Sequence, residues 1–300
     1  MKKIKNALIS VYYKDGLEKV LNKLQELGIH IYSTGGTYDF IKKQGYEATT
    51  IESVTSYPSI LGGRVKTLHP KVFGGILARR DSQKDHSQVE EYQFPLFDLV
   101  IVDLYPFEET IANTNITSEI IEKIDIGGIS LIRAAAKNFE DVLVVPTSSM
   151  YNELIEVLDK NQGKSTVEDR QYFAAQAFNV SSHYDTLIFN WMNPGNIPAF
   201  KQSLTKENTL RYGENPHQSA AFYSDGTARA VVATAVQHQG KELSYNNIND
   251  TDAAFELVSE FAPDDGPACV IVKHANPCGA ATGATLKEAY QKAFDCDRTS

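Results

Sequence analysis

The segment STGGT, residues 33–37, follows an apolar run and precedes a helical pattern. In an open α/β sheet, the junction between a strand and the following helix is where anions bind. The two glycines would let backbone N–H groups approach a phosphate, the threonine hydroxyls would add donors, and Lys14 is expected at the same edge. The alternative is a tight turn with a threonine helix cap. The segment matches neither the Walker nor the GxGxxG pattern.

The segment GGRVKTLHP, residues 62–70, is the densest polar stretch of the chain. In an extended loop, Arg64 and Lys66 would point to the same side, because alternate residues share a face. Two cations beside a pair of glycines suit a phosphate or an oxygen that gains charge during a reaction. The alternative is a solvated basic loop. We expect His69, which precedes a proline, to be structural.

Two further segments place polar side chains at the ends of elements. Asp125 precedes a glycine pair and a helical pattern, so it either caps that helix or acts on a substrate. Arg133 and Lys137 are four residues apart on the same helix and share a face, which lines a cleft or meets water. Asp103 and Tyr105 follow an apolar strand, at the edge favoured by catalytic groups. Tyr105 is either a core residue or a phenolic donor.

A third group lies in the second half of the chain. Lys273 and His274 end an apolar strand, and a neighbouring cation disfavours imidazolium and keeps the ring neutral as a base. The alternatives are a histidine bonded to backbone and a metal ligand, with Cys278, for which no second cysteine pair completes a zinc set. The polar loop that begins with Arg211 and Tyr212 would suit a planar ligand with a phosphate.

A parallel sheet is needed to bring the residues of the first half together. Short apolar runs alternate with helical patterns, which predicts a parallel sheet with helices on both faces. The first helix is expected to begin at a capping box of Asp15 and Glu18 and to end at Gly28. Buried strands are expected at residues 7–11, 29–33, 97–104 and 142–145.

A break in the pattern divides the chain. Residues 193–198 contain two prolines and one glycine, and we place a domain boundary there. Residues 1–195 are expected to form one α/β domain. Residues 200–300 are expected to be the incomplete first part of a second domain, because their pattern stops without a closing element.

Composition and charge exclude several classes of protein. The chain has 300 residues and a net charge of −9, whereas general nucleic-acid binders carry a basic surplus. Its 42% apolar residues favour a globular protein over a disordered one. Three cysteines without a CxxC pair predict a reducing compartment, and no apolar run is long enough to span a membrane. These features predict a cytoplasmic protein.

Seven motifs together resemble one family. The chain is similar to the bifunctional purine-biosynthesis enzymes that combine phosphoribosylaminoimidazolecarboxamide (AICAR) formyltransferase with IMP cyclohydrolase, and the resemblance covers essentially all 300 residues. It implies a methylglyoxal-synthase-like cyclohydrolase domain over residues 1–195. It also implies the start of a cytidine-deaminase-like transformylase domain, without the zinc, from about residue 200. The motifs are STGGT, GGRVKTLHP, LYPF, DIGGISLIRAAAKN, LRYGENPHQ, ELSYNNIND and VKHANPCGAA.

The resemblance also implies roles in the cyclohydrolase, which would need no metal or cofactor. Lys66 would stabilise the oxyanion. Tyr105 and Asp125 would position the carboxamide and relay a proton. Lys137 would be the general acid, converging with Lys66 beside the phosphate. The implied substrate-binding residues are Lys14, Thr34, Gly35, Gly36, Thr37, Arg64, Thr67, Asp103, Ile126 and Gly127.

For the transformylase, the resemblance implies 10-formyltetrahydrofolate as cosubstrate. His274 would take a proton from the AICAR amine, Lys273 would tune it, and Arg211 and Tyr212 would contact AICAR. The longer family members are homodimers that bind small nucleotides. We expect negligible transformylase activity from the 300-residue chain.

At two positions the chain departs from the family. Asp103 stands where members commonly have Asn, and Phe73 stands where they commonly have His. The added negative charge of Asp103 is expected to raise nearby lysine pKa values and to weaken phosphate binding.

Two alternative functions share the expected fold. One is a methylglyoxal synthase, and the other is a non-catalytic domain that binds a phosphate effector.

Overall fold

The computed structural model describes residues 1–224 and 230–299. The chain divides into two compact units, Met1–Lys201 and Gln202–Ser300. The sequence break at residues 193–198 lies just before this division. The assignment of each unit to one domain of the resembling family stays a prediction.

The first unit is built on a parallel sheet. Its strands are β1 (Lys2–Lys3), β2 (Asn6–Ser10), β3 (His30–Ser33), β4 (Thr49–Thr50), β5 (Leu99–Val102), β6 (Leu143–Val145) and β7 (Lys164–Ser165). Five of them form a parallel sheet in the order β4–β3–β2–β5–β6, and β1 pairs with β7 in a separate antiparallel ribbon. Every residue of β5 and β6 is buried, as expected for a sheet covered on both faces. The predicted α/β class is confirmed.

Helices surround this sheet. They are α1 (Leu17–Glu26), α2 (Gly35–Lys43), α3 (Ile51–Thr55), α4 (Pro70–Leu77), α5 (Gln83–Tyr92), α6 (Phe107–Asn113), α7 (Thr117–Ile121), α8 (Gly127–Lys137), α9 (Tyr151–Lys160) and α10 (Val167–Met192). Helix α1 packs against α9, and α8 packs against α4 and α10. The carboxyl ends of β2, β3 and β5 therefore share one edge, where irregular segments carry the polar motifs.

The start of α1 shows how the backbone shapes this edge. Helix α1 buries one apolar stripe, as its spacing predicts, and Gly28 follows its end with a φ of 65°. The predicted capping box of Asp15 and Glu18 is wrong, because the residue that precedes the helix is Gly16 and no side chain caps it. Gly16 has a φ of 74°, which turns the chain so that the first helical N–H reaches the carbonyl of Lys14 at 3.2 Å.

The second unit contains two antiparallel hairpins and two helices among its described residues. They are β8 (Thr205–Leu210), β9 (Ala220–Ser224), α11 (Tyr245–Ser259), β10 (Ala268–Lys273), β11 (Asn276–Thr282) and α12 (Leu286–Cys296). Strand β8 pairs with β9, and β10 pairs with β11. The sequence indicated β10 and both α-helices, but β8, β9 and β11 were not foreseen. In the described residues, no helix is both long and apolar enough to cross a bilayer.

Tyr151 generates a stability prediction. Its side chain is 5% exposed, and its hydroxyl has no hydrogen-bond partner within the described structure. Because burial of an unpaired hydroxyl costs about 1 kcal/mol or more, Tyr151→Phe should raise the melting temperature by at least about 2 °C. Tyr184→Phe should lower it, because the Tyr184 hydroxyl makes two hydrogen bonds. Circular dichroism melts compare the pair, and a lower melting temperature for Tyr151→Phe would show that its hydroxyl is bonded in solution.

Candidate active site

A cleft of about 790 Å³ opens at the carboxyl edge of the parallel sheet. The segments after β2, β3 and β5 form part of its wall, and residues 62–67 and 121–128 form the rest. The predicted site residues that line it are Lys14, Thr34, Gly36, Thr37, Arg64, Lys66, Thr67, Asp103, Tyr105, Asp125, Ile126 and Gly127. Gly35 lies beside it, since a Cβ atom there would stand 3.3 Å from Lys66 Nζ.

Helix α2 begins at this cleft with free backbone donors. Thr34 precedes the helix, but its hydroxyl donates to Glu52 Oε1 at 2.6 Å and does not cap it. The Thr37 hydroxyl donates to the carbonyl of Val11 at 2.8 Å and accepts its N–H at 3.1 Å. Contrary to expectation, these hydroxyls fix the loop to its neighbours. The N–H groups of the first helical turn remain available to an anion.

Two lysines bring positive charge to the same end of the cleft. Lys14 Nζ donates to the carbonyls of Val11 and Tyr12, the latter at 2.9 Å. Burial lowers the pKa of Lys14, Asp103 opposes that shift, and Lys66 adds to it. Asp103 therefore acts in the expected upward direction, but the desolvation of Lys14 outweighs it.

Asp103 is a buried carboxylate held by backbone donors. It is 9% exposed and accepts the N–H groups of Tyr12 and Tyr13, the second at 3.1 Å. Burial raises its pKa, while these amides and Lys14 act in the opposite direction and Asp125 adds to the rise. The carboxylate thus orients the segment that carries Lys14.

Asp125 is the second buried carboxylate and is also 9% exposed. Its Oδ1 accepts the N–H of Gly128, in the first turn of α8, at 2.6 Å, although the residue directly before the helix is Ile126 and not Asp125. Burial raises its pKa, and the backbone donors and Lys66 oppose the rise. Because it also lines the cleft, capping and chemistry are compatible.

An aromatic wall stands beside these acids. Tyr105 is 37% exposed, and its ring meets Tyr12 edge to face with centroids 5.5 Å apart. The Lys123 ammonium lies 5.1 Å from the Tyr12 centroid and 5.8 Å from that of Tyr105. Tyr105 is therefore a cleft residue rather than a core residue. Tyr12 and Lys123 were not predicted as cleft residues. The position of Tyr12 just after β2 could have indicated it, whereas Lys123 lies in a segment without hydrophobic periodicity.

The GGRVKTLHP loop is not extended at its start. Residues 61–63 form a tight helical turn in which Leu61, Gly62 and Gly63 have positive φ. Arg64 nevertheless lines the cleft, and its guanidinium forms an ion pair with Glu122 across from it. This exposed pair connects the two irregular segments of the wall.

The remaining residues of that loop and the helix after it make structural contacts. Thr67 is 3% exposed, and a Cβ atom at Gly127 would stand 3.2 Å from its hydroxyl, so the loop packs closely on the start of α8. His69 Nδ1 accepts the N–H of Lys71 at 3.1 Å, which confirms a structural, helix-capping histidine. Phe73, on α4, packs against the hydrophobic core.

Lys137 does not reach the cleft of its own chain. Helix α8 starts at the cleft and runs back along the sheet to enter β6, and Lys137 is exposed at its far end. In α10, the Tyr184 hydroxyl bonds to the N–H of Asp125, just before α8. Arg170 of α10 bonds to the carbonyl of Phe139, just past Lys137. The eleven residues of α8 between these two anchors span about 16 Å at 1.5 Å per residue.

The expected convergence of Lys66 and Lys137 is therefore wrong within one chain. The neighbouring Arg133 faces α10, where its guanidinium lies 5.4 Å from the Phe178 ring and donates to Ser181 Oγ at 3.4 Å. A four-residue spacing established that the two cations share a helix face. The spacing does not show which end of the helix lies at the cleft. In the structure the first residues of α8 lie there, and Lys137 is at the opposite end.

In the second unit, α11 connects the predicted residues. The carbonyl of Tyr212 accepts the N–H of Tyr245, at the start of α11, at 3.1 Å, and Arg211 stacks on the Tyr212 ring at 4.8 Å. The turn after Lys273 is tied to the same helix, because the N–H of Ala275 donates to Asp250 at 2.7 Å.

His274 occupies the turn of the β10–β11 hairpin. It is exposed and has a φ of 53°, and Ala275 has a φ of 59°, the pair of left-handed residues that a tight hairpin requires. The turn therefore presents the imidazole at the hairpin end. No group of three or more His, Cys, Asp or Glu residues that could hold a metal occurs within the described ranges.

Two family models match most of the chain in two consecutive parts. A family model described as an MGS-like domain matches residues 16–130. The model of the AICARFT/IMPCHase bienzyme matches residues 135–300. The crystal structure of ForH superposes with a TM-score of 0.56 at 33% identity, and the match covers 63% of this chain and 99% of ForH.

Curated relatives point to the same family and are more similar to this chain in sequence. The bifunctional purine biosynthesis protein PurH of Bacteroides thetaiotaomicron is 50% identical over 299 residues, which cover 100% of this chain and 57% of that protein. PurH of Ruegeria sp. strain TM1040 is 51% identical, with coverage of 99% and 57%. The chain thus spans a little over half the length of these relatives.

Asp103 generates a prediction about pH. Because the folded state raises its pKa above the ordinary 3.8, folded protein binds the proton more tightly than unfolded protein. Stability from this group is complete below the ordinary pKa of 3.8 and is lost as the pH rises through the higher folded-state pKa. In the unaltered chain, deprotonation of Asp103 should lower the melting temperature between pH 4 and 7. Asp103→Asn should make this fall in melting temperature smaller. An unchanged or steeper decline in the variant would contradict the assignment.

Proposed function

This chain belongs to the AICARFT/IMPCHase bienzyme family, and we propose that the cleft of its first unit is an IMP cyclohydrolase site. The substrate would be formyl-AICAR, a ribose 5-monophosphate whose imidazole ring carries a carboxamide next to a formamide. One observation carries the proposal. The Lys66 ammonium is close to the free N-terminus of α2 at Gly35 and acts electrostatically on the buried Asp125 carboxylate.

The phosphate would bind at the N-terminus of α2. The free N–H groups of residues 35–37 favour an anion there, and Lys14 and Lys66 supply compensating charge. Thr67 lines the cleft beside them, and its hydroxyl lies close to Gly127 at the start of α8. Arg64 would contribute after exchanging Glu122 for the phosphate. An exposed ion pair of this kind is worth about 0–1 kcal/mol, so the exchange costs little.

Ring closure would take place at the Asp125 end. The carboxamide nitrogen attacks the formyl carbon, a C–N bond forms, and the formyl oxygen gains negative charge. The carboxamide nitrogen loses one proton and the formamide nitrogen loses another. Both protons pass to the former formyl oxygen, whose bond to carbon breaks as it leaves as water and a C=N double bond forms in the ring. Because both reacting groups belong to one molecule, the protein mainly holds them in an attacking arrangement and compensates charge.

The residues at that end suit those steps. Lys66 would stabilise the oxyanion, and Asp125, accepting the Gly128 N–H on one oxygen, would take the nitrogen's proton through the other. Tyr105 would donate to the carboxamide, with Tyr12 and Lys123 forming the wall against which the heterocycle rests. Ile126 and Gly127 would close the cleft at the base. Lys137 has no part in this arrangement within one chain.

For the second unit, we propose the AICAR- and folate-handling role that the bienzyme family implies. Arg211 and Tyr212 would contact AICAR, and Lys273 and His274 would serve the proton transfer with 10-formyltetrahydrofolate as formyl donor. Both segments are tied to α11, which supports a common site. A cytoplasmic homodimer is proposed for the protein on the same family basis.

A spectrophotometric assay separates this proposal from the two alternative functions. Conversion of formyl-AICAR to IMP changes the ultraviolet spectrum. A methylglyoxal synthase would consume dihydroxyacetone phosphate instead. A phosphate-effector domain would bind nucleotide without turnover.

Lys66→Ala should lower the turnover of formyl-AICAR by about 10²–10³-fold, the usual loss for an oxyanion donor. The control is Lys42→Ala, which removes a surface lysine paired with Glu47 and should retain full turnover. Undiminished turnover in Lys66→Ala would remove this lysine from the mechanism.

Asp103→Asn should tighten the binding of IMP by about 3–10-fold, because it removes a negative charge beside Lys14. The gain should shrink at high salt, where screening weakens charge interactions. Isothermal titration at two ionic strengths measures both effects. Weaker binding by the variant would show that Asp103 serves the nucleotide through its hydrogen bonds to Tyr12 and Tyr13.

A further inference from the structure

Tyr184 does not line the cleft, yet it holds one of the cleft walls. It lies in α10 and is 6% exposed. Its hydroxyl donates to the carbonyl oxygen of Lys123 at 2.5 Å and accepts the N–H of Asp125 at 2.9 Å. One side-chain oxygen thus satisfies two backbone groups in an irregular segment, where no ladder of a helix or strand can do so.

The segment that Tyr184 ties down carries two cleft side chains with different tasks. The Asp125 carboxylate is a buried acid, and the Lys123 ammonium lies against the rings of Tyr12 and Tyr105. The Asp125 carboxylate is tightly enclosed, because a Cβ atom at Gly128 would stand 2.6 Å from its Oδ2. A small shift of the segment backbone would therefore displace both groups relative to the bound ring.

Helix α10 is a firm support for this contact. At its other end, Arg170 is 3% exposed and donates to the carbonyls of Phe139, Glu140 and Ser165 at 2.7–2.9 Å. At the cleft end, the Tyr184 ring packs edge to face with Phe107, with centroids 6.0 Å apart. The hydroxyl is consequently fixed with respect to the sheet.

We propose that Tyr184 is a positioning residue of the cleft, whose hydroxyl sets where the Asp125 carboxylate and the Lys123 ammonium stand. The inference rests on the proposed cyclohydrolase function for its consequence in catalysis. Its structural part, that the hydroxyl holds residues 121–128 in place, stands on the hydrogen bonds alone.

The phosphate end of the cleft is held independently. The Thr37 hydroxyl ties the start of α2 to Val11, and the Thr34 hydroxyl ties it to Glu52, without any contribution from α10. Loss of the Tyr184 hydroxyl should therefore disturb the reacting end of the substrate and leave the phosphate end intact. An effect confined to the reacting end would show that Tyr184 positions that end, whereas a general loss of stability would affect both ends.

The test uses Tyr184→Phe, which keeps the ring and removes only the hydroxyl. Two controls match it. Tyr151→Phe removes a buried tyrosine hydroxyl that has no partner in the described structure, and Ser181→Ala removes a buried hydroxyl from the same helix, one turn from Tyr184. All three are compared with the unaltered chain at a temperature well below their melting points.

Hydrogen exchange followed by mass spectrometry measures the structural part. In Tyr184→Phe, peptides covering residues 121–128 should exchange at least about tenfold faster, while residues 34–40 remain unchanged. Neither control should change residues 121–128. Unaltered exchange of this segment in Tyr184→Phe would overturn the proposal.

Steady-state kinetics measure the consequence. Tyr184→Phe should lower kcat for formyl-AICAR closure by about 10–100-fold and change KM by less than about threefold, because misplaced reacting groups cost rate more than binding. Faster exchange with an unchanged kcat would overturn the role in the reaction. If the unaltered chain makes no IMP, the proposed function fails, and the exchange experiment still decides whether Tyr184 holds the segment.

Discussion

The structure depends on the burial of opposite charges at one edge of a parallel sheet. Asp103 and Asp125 are almost fully removed from water, and Lys14 loses much of its solvent. Buried charges are costly unless each has partners, so the surrounding backbone must supply them. Here the amides that follow β2 bind Asp103, the first turn of α8 binds Asp125, and carbonyls at the end of β2 bind Lys14.

That requirement explains why irregular backbone surrounds the cleft. Gly16 turns the chain in a left-handed conformation, so that the first N–H of α1 reaches the carbonyl of Lys14. Gly128 leaves room for the Asp125 carboxylate. Gly35 gives Lys66 access to the N-terminus of α2. Gly128 and Gly35 are therefore needed by particular charged neighbours, and substitution there would move a charge.

The two ends of the cleft are held by different parts of the fold. Threonine hydroxyls fix the anion-binding end within the β2–β3 region. Helix α10 fixes the acidic end through Tyr184. With separate supports, the proposed substrate would be bound at its phosphate by one part of the fold while its reacting groups are aligned by another. Ring closure that depends on alignment and charge compensation would use both supports.

Much of the first unit could be predicted from its pattern. The apolar runs identified β2, β3, β5 and β6, and the rule that ligands bind at carboxyl ends brought residues 34–37, 103 and 105 to one edge. Lys66 and Asp125 were assigned to the same site only by the family resemblance. Lys137 was misplaced because helical spacing tells which face a residue shares, and not which end of the sheet the helix reaches. Tyr184 was missed because, within a long buried helix, periodicity marks it as core and cannot show what its hydroxyl bonds.

A crystal structure of the chain with IMP bound would locate both ends of the nucleotide in the cleft. We expect phosphate oxygens within about 3 Å of the N–H groups of residues 35–37, with the purine ring directed toward Lys66 and Asp125. Phosphate bound away from the N-terminus of α2, or a ring directed away from Asp125 into solvent, would contradict the proposed site.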